Sequence, residues 1–309
     1  MKITTKTLEI AGKQLTLETG KLAKQATAAV LGRLGDTVVL ATVVASKKET
    51  SLDYFPLSVE YVERLYAGGR IKGSRWVKRE GRPTDDAILT GRLIDRSIRP
   101  LFPKEFKNDV QVVVTVLSVD GENQPDILSI ITVSAALAMS PIPWNGPVGA
   151  VRMGYVTGEG ETAEYVVNPS DAELIPSDLD IVATQTSEKT LMLEAGAKQA
   201  SEEVVITAIK KAYDENKKII AFINDFAKEA GQKKMEVKQD VLLAEYVAKI
   251  EKTYKEDVQN LVALRAQNEG SSTAQDALID KIFADEQAAN PGSAVDKKTI
   301  AKAVEKVFF

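Results

Sequence analysis

Three arginines are spaced so that an α-helix would place them on one face. At 100° per residue, Arg92, Arg96 and Arg99 fall within about 60° of one another. A guanidinium group donates hydrogen bonds in a fork that fits a carboxylate or a phosphate, so this face suits an anion. Because like charges repel along a helix, the face requires either an anionic ligand or an acidic neighbour such as Asp95 or Glu105.

A glycine-rich segment at residues 67–74 precedes these arginines and leads into an aromatic residue flanked by basic ones. Trp76 is followed by Lys78, Arg79 and Arg82. Single-stranded nucleic acid sites use this combination, because the ring stacks on a base while the cations hold the backbone. The alternative is that Trp76 is a core or interface residue, as most tryptophans are.

The positive charge is concentrated in this part of the chain. Residues 64–104 include eleven basic and four acidic residues, a net charge of +7, whereas the whole chain has 40 basic and 44 acidic residues and a net charge of −4. The remaining residues therefore carry −11. This segregation indicates a local anion site, and a solvated surface stretch is the alternative.

The composition excludes several kinds of chemistry. The 309 residues include no cysteine and no histidine, which rules out a Cys/His zinc site, a thiol nucleophile, a Ser-His-Asp triad and an imidazole base. The absence of cysteine fits a reducing compartment. No apolar stretch is long enough for a signal peptide or a membrane span, so we expect a cytoplasmic protein that has no membrane partner.

The first two thirds of the chain alternate in the way that strands do, and glycines at Gly12 and Gly35 indicate hairpin turns. Helical spacing predicts one helix that begins at Thr84, one over 126–139 and one over 201–229 that ends at Gly231. Strands are predicted over residues 7–10, 14–18, 27–33, 37–44, 56–62, 110–119, 148–155, 164–167, 179–186 and 190–194.

From about residue 201 the sequence is typical of helices, and prolines are absent between Pro176 and Pro291. Amphipathic helices are predicted over 239–266, 273–287 and 296–309. The predicted fold class is therefore α+β followed by a small all-α domain. We expect the first domain over residues 1–230 and the second over 236–309.

Several motifs resemble the first ribonuclease PH-like domain of the bacterial polynucleotide phosphorylases. They are PLSVEY at 56–61, AGGRIKGS at 67–74, KREGRP at 78–83 and, above all, RLIDRSIRPLFP at 92–103. The resemblance runs from near the N-terminus to about residue 230. The helical part is similar in position and length to the family's all-helical linker domain.

The resemblance implies a ribonuclease PH-like β-α fold and a nucleotidyltransferase activity. Members of this family degrade single-stranded RNA from its 3′ end with inorganic phosphate and Mg²⁺, release nucleoside diphosphates, and can run in reverse as polymerases. It also implies a homotrimeric ring with RNA in its pore. Each member has two ribonuclease PH-like domains, so this chain resembles the N-terminal portion and lacks the second, catalytic copy.

One departure concerns phosphate. The catalytic copy binds phosphate with a glycine-serine-serine stretch at a helix start, where this chain has Pro125 and Asp126. A proline lacks an N–H and an aspartate repels phosphate, so we expect no phosphate site and no complete catalytic site here. The segment at 177–180 resembles the region of the catalytic copy's metal-binding aspartates but lacks a companion carboxylate, so we interpret it as a strand entry and expect no metal site.

The RNA-facing motifs are retained. The family's pore loop has two aromatic and two basic residues; this chain keeps Trp76, Lys78 and Arg79, and has Val77 in place of an aromatic ring. The arginines of the RLIDRSIRP motif match positions near the neighbouring catalytic copy, where they would support catalysis by holding RNA phosphates. The predicted RNA-binding residues are Trp76, Lys78, Arg79, Arg82, Arg92, Arg96 and Arg99.

Two other functions remain open at this point. One is a non-catalytic RNA-binding or assembly subunit, since the chain has a basic face and no phosphate loop. The other is a scaffold whose arginine face binds an acidic protein partner. A flat dependence of RNA affinity on salt would favour the scaffold.

Overall fold

The computed structural model describes residues 2–50, 52, 54–71, 81–156, 163–237, 241–266, 271–290 and 295–308. The chain divides into two compact units, Met1–Val237 and Lys238–Phe309. The described part of the first unit combines two sheets with helices, and that of the second unit is helical. The α+β class followed by an all-α part is therefore confirmed.

A six-stranded sheet forms one layer of the first unit. Its order is β1-β2-β3-β4-β6-β5, with β5 parallel to β6 and the other neighbours antiparallel. The strands are β1 Thr4–Ile10, β2 Lys13–Thr19, β3 Ala28–Leu34, β4 Thr37–Glu49, β5 Leu57–Val62 and β6 Asn108–Ser118.

Both predicted hairpins are confirmed, and their turns explain the residues found there. Ala11 and Gly12 have φ angles of 48° and 74°, the left-handed pair that a two-residue hairpin turn requires. Gly35, with φ 59°, turns the chain between β3 and β4. The Asp120 carboxylate fixes this second turn, because it accepts hydrogen bonds from the Asp36 N–H at 3.0 Å and the Thr37 hydroxyl at 3.0 Å.

The second sheet is antiparallel and has the order β10-β9-β7-β8. Its strands are β7 Gly149–Val156, β8 Glu164–Val167, β9 Ser177–Gln185 and β10 Thr190–Ala197. On β9, the alternate residues Leu179, Ile181 and Ala183 are almost fully buried and point toward the core. The prediction that residues 177–180 enter a strand is confirmed.

Helices join the two sheets. They are α1 Asp85–Ile98, α2 Pro125–Met139, the short α3 Asp171–Leu174 and α4 Glu202–Ala230. α2 lies at the centre: it packs against β3, β4, β7 and α4, and most of its side chains are fully buried. α3 was not predicted from the sequence, although Ser170 and Glu173 form the capping box that marks its start.

α4 ends where predicted, with Gly231 as its C-cap. Gly231 follows the helix, but its φ is −77°, so it is extended rather than left-handed. The residue is small because a Cβ there would lie 2.2 Å from the Ala227 carbonyl oxygen. The first unit continues beyond this point: the N–H groups of Gln232 and Met235 donate to the carbonyls of Met139 at 2.9 Å and Pro141 at 2.7 Å.

The second unit has its own apolar core, which includes Ile250, Ile282 and Ile300. Its helices are α5 Val241–Thr253, α6 Lys255–Ala266, α7 Ser271–Ala289 and α8 Lys297–Phe308. The prediction of one helix over 239–266 is wrong, because the helix breaks at Tyr254. The buried Tyr254 ring joins the core and its hydroxyl donates to Asp285 at 2.8 Å, so packing bends a segment that contains no glycine or proline.

Candidate nucleic-acid interface

α1 carries the predicted arginine face, and its start is well defined. The Thr84 hydroxyl accepts a hydrogen bond from the Ala87 N–H at 3.0 Å, which caps the helix. One side of α1 is buried through Leu93, Ile94 and Ile98 and packs against β5. The opposite side, which carries the three arginines, is exposed.

Arg92 is the arginine of α1 that is available to a ligand. It is exposed, and it makes no hydrogen bond or ion pair with any other residue that the structure describes. An isolated guanidinium in water keeps its full set of donors for a phosphate or a carboxylate. Arg92 is therefore the strongest candidate for direct contact with an anion.

Arg96, one turn further along α1, is paired with an acid from another element. Its Nη1 donates to Oε2 of Glu194 on β10 at 3.0 Å, and the two side chains are 51% and 56% exposed. An ion pair this exposed is weak, because water and salt screen it. Arg96 is thus engaged, but by a partner that an external anion can displace.

Arg99 has a different environment from the other two. Its Nε and Nη2 donate to the two carboxylate oxygens of Asp95 at 2.8 and 2.7 Å. Its Nη1 and Nη2 also donate to the carbonyls of Phe55 at 3.3 Å and Leu57 at 3.1 Å. Arg99 therefore joins the end of α1 to the start of β5, and few of its donors remain for a ligand.

The other predicted RNA-binding residues divide into two groups. Arg82 is exposed and lies two residues before Thr84, next to the start of α1. Trp76, Lys78 and Arg79 lie outside the residues that the structure describes. Their role in binding RNA stays a prediction from the sequence.

Next to α1, at the start of α2, lies an open cavity of about 310 Å³ whose charged lining is mostly acidic. Asp86 of α1, Asp126 of α2, Asp180 of β9 and Glu194 of β10 contribute carboxylates, and Arg152 of β7 contributes the guanidinium. Leu89, Leu93 and Val182 provide an apolar part. This surface repels phosphate, in contrast to the arginine face of the same helix.

Arg152 has its charge satisfied inside the fold. Its Nη2 donates to Oδ2 of Asp126 at 3.1 Å, and both side chains are largely buried, with 16% and 17% exposed. Its Nε forms an ion pair with Oδ1 of Asp180 at 3.1 Å, at an angle outside hydrogen-bond geometry. The Asp126 carboxylate thus stands at the helix start where an external anion would bind, and Pro125 removes one N–H from that place.

The cavity perturbs the ionisation of one of its acids. Burial raises the pKa of the Asp180 carboxyl above its usual range; the adjacent Arg152 guanidinium opposes this shift, and the negative charges of Asp126 and Glu194 add to it. Sequence reasoning had noted Asp126 and Asp180 separately. It missed Arg152 and Glu194, because nothing in the local sequence brings four distant elements together.

Within the described ranges, no group of three or more acidic side chains is arranged to hold a metal ion. Among the same residues, no helix combines the length and the apolar character needed to cross a membrane.

Comparison with known proteins gives consistent matches along the chain. A sequence model described as 3′ exoribonuclease family, domain 1, matches residues 11–143, and domain 2 of the same family matches residues 146–215. The crystal structure of rice (Oryza sativa) Rrp46 is similar with a TM-score of 0.53 and 16% identity, covering 72% of this chain and 94% of that one. At this low identity the likeness concerns the fold alone. Together these matches confirm the predicted ribonuclease PH-like fold.

Curated relatives named polyribonucleotide nucleotidyltransferase are more similar in sequence. The protein of Pelagibacter ubique (strain HTCC1062) is 45% identical over 291 residues, 93% of this chain and 41% of its own length. The protein of Thermomicrobium roseum is 50% identical over 232 residues, 75% of this chain and 29% of its own length. The chain thus spans about two fifths or less of these relatives. With two domain models matching most of its first unit, the chain belongs to the 3′ exoribonuclease family.

Proposed function

We propose that this chain is the N-terminal part of a phosphate-dependent 3′-to-5′ exoribonuclease, a polyribonucleotide nucleotidyltransferase. The complete enzyme degrades single-stranded RNA: an oxygen of inorganic phosphate attacks the terminal phosphorus, the bond to the 3′ oxygen breaks, and a nucleoside diphosphate leaves. The reverse reaction extends RNA. Family membership and the names of the curated relatives support this proposal.

Within that enzyme, this chain binds RNA and does not bind the attacking phosphate. The observation that carries this assignment is the contrast between Arg92, which has no partner in the described part of the chain, and the paired Arg152. Arg92, with Arg96 one turn away and Arg82 beside the helix start, faces the RNA backbone. In the same proposal Trp76 stacks on a base and Lys78 and Arg79 hold the adjacent phosphates.

Mg²⁺ does not fit the carboxylates of Asp126 and Asp180. Asp126 and Asp180 lie on either side of Arg152, at 3.1 Å from its guanidinium nitrogens, and that positive charge opposes a divalent cation. We therefore assign inorganic phosphate and Mg²⁺ to the second ribonuclease PH-like domain of the complete enzyme. No step of the reaction is attributed to a metal ion bound here.

Assembly into a homotrimeric ring is the second contribution that we propose. On β4, Val39, Ala41 and Val43 are fully buried under α2, whereas the alternate residues Leu40 and Thr42 are only partly buried. A sheet face with apolar residues of this kind gains stability when another protein surface covers it. The cytoplasm is the compartment that we propose for this activity.

The test is an assay of nucleoside diphosphate release from a short single-stranded RNA in the presence of Mg²⁺ and phosphate. The chain alone should release none, and addition of the second ribonuclease PH-like domain should restore release that depends on phosphate. Reactions without phosphate are the control. Phosphate-dependent release by the chain alone would overturn the assignment of the phosphate site to the other domain.

Measurement of RNA affinity at several salt concentrations, beside this assay, separates the alternative functions. If the chain binds RNA but the combined protein releases no diphosphate, it is a non-catalytic RNA-binding subunit. If RNA affinity does not depend on salt, the arginine face does not contact phosphates, and a protein-binding scaffold is the better interpretation.

A further inference from the structure

Arg92 and Arg96 are one helical turn apart and have the same chemistry, yet one is unpaired among the described residues and the other is bound by Glu194. Glu194 comes from β10, so the contact depends on how the second sheet packs beside α1. A carboxylate binds a guanidinium through the same fork that a phosphate would use. Glu194 therefore occupies Nη1 of Arg96, a donor that Arg96 would otherwise offer to RNA.

We propose that Glu194 competes with RNA phosphate for Arg96 and thereby lowers the affinity of this surface for RNA. This inference rests on the proposed RNA-binding function of α1. RNA that engages Arg96 must first displace the Glu194 carboxylate, whereas RNA that engages Arg92 has no such competitor among the described residues. Glu194 therefore lowers the contribution of Arg96 to RNA affinity and leaves that of Arg92 unchanged.

The geometry makes displacement feasible. Both side chains of the Arg96–Glu194 pair are about half exposed, and a single hydrogen bond of 3.0 Å joins them. The Arg99–Asp95 pair provides the internal comparison: two bonds of 2.7 and 2.8 Å to the carboxylate are reinforced by two backbone carbonyls. The Arg96–Glu194 pair is therefore easier to separate than the Arg99–Asp95 pair.

Glu194 also places a negative charge beside the acidic cavity. It lines that cavity together with Asp86, Asp126 and Asp180. A gain in RNA affinity on removal of its charge therefore has two competing explanations, the release of Arg96 and a weaker general repulsion of RNA. A test must separate these two effects.

The test compares Glu194→Gln with the parent chain by fluorescence anisotropy, using a short labelled single-stranded RNA at several salt concentrations. We expect the variant to bind more tightly by a factor between about 1.4 and 5, the range that an exposed ion pair accounts for. Glu188→Gln, which removes the same charge at the turn before β10, is the matched control and should leave the affinity unchanged. Melting temperatures verify that each variant is folded.

The decisive experiment measures the effect of Glu194→Gln on RNA affinity in an Arg96→Ala background. If Glu194 acts through Arg96, its replacement has no effect there. A gain that persists without Arg96 would show general repulsion and overturn the proposal, as would unchanged or weaker binding of Glu194→Gln. If the parent chain itself binds no RNA, the proposed function fails; if it binds RNA and Glu194→Gln has no effect, only this inference fails.

Discussion

The first two long helices of the α+β unit begin alike and present opposite surfaces. Both have acidic residues in the first turn, Asp85 and Asp86 in α1 and Asp126 in α2. On α1 these acids are exposed, and Arg92, which has no partner among the residues that the structure describes, lies further along the helix. On α2 the acid is largely buried against Arg152.

This comparison shows that the number of charges does not decide where an anion binds. Arg152 and Arg92 carry the same charge, but the charge of Arg152 is already neutralised by Asp126 and Asp180 inside the fold. A buried ion pair is costly to separate, whereas an exposed arginine without a partner can bind a phosphate without first losing another contact. The partner of each arginine therefore decides whether that arginine is available to an anion.

The largest effect is expected at Asp126. Asp126→Ala leaves Arg152 largely buried with only Asp180 beside it, so the free energy of unfolding should fall by about 3 kcal/mol. Urea unfolding followed by tryptophan fluorescence measures this, because both tryptophans belong to the first unit. Asp85→Ala, in the first turn of α1, is the matched control and should lose only about 0.5 kcal/mol. Equal urea midpoints for the two variants would contradict the contrast between the helices.

A smaller effect should distinguish two arginines of α1. Arg99→Ala removes the bonds to Asp95 and to two carbonyls of the β5 region, and should lower the free energy of unfolding by about 1 kcal/mol, since the group is partly exposed. Arg92→Ala should change it by less than about 0.5 kcal/mol. Thermal melting of the two variants checks this. If Arg92→Ala is the less stable protein, the assignment of Arg99 as the structural arginine is wrong.

The smallest effect concerns the pH dependence at Asp180. Burial raises the pKa of this carboxyl in the folded state, so the protonated form is favoured there and ionisation works against folding. Relative to Asp180→Asn, the parent should lose stability as the pH rises through the folded-state pKa, and the two should converge below the unfolded pKa of about 3.9. The difference should stay below about 1 kcal/mol, because the side chain is half exposed. Urea unfolding at several pH values tests the sign; a parent that gains relative stability with rising pH would contradict it.

Local signals in the sequence predicted much of this fold. Glycines at Gly12 and Gly35 marked the hairpins because left-handed turns require them, and Thr84 marked the start of α1. Asp95 and Glu105 were both considered as acidic neighbours of the arginines, and the structure pairs Asp95 with Arg99 one helical turn away.

Contacts between distant elements could not be predicted in the same way. Glu194 is 98 residues from Arg96, and only the packing of β10 beside α1 brings them together. Arg152 meets Asp126 and Asp180 through three separate elements. The break at Tyr254 likewise depends on packing within the helical unit. The arginine face of α1 could therefore be predicted from the sequence, but the distant partners of its side chains could not.

The most direct test of the central claim is the salt dependence of RNA binding by the parent chain and by Arg92→Ala. If about four phosphates are neutralised at ~0.7 each, log K should fall with log salt with a slope near −2.8 for the parent, and the slope should weaken by about 0.7 in Arg92→Ala. Arg33→Ala, an exposed arginine on β3 that is paired with Asp36, is the control for lost charge and should keep the parental slope. We expect a weaker slope of log K against log salt in Arg92→Ala alone. Equal slopes for all three proteins, or an equal loss of slope in both variants, would show that Arg92 has no special contact with RNA phosphates.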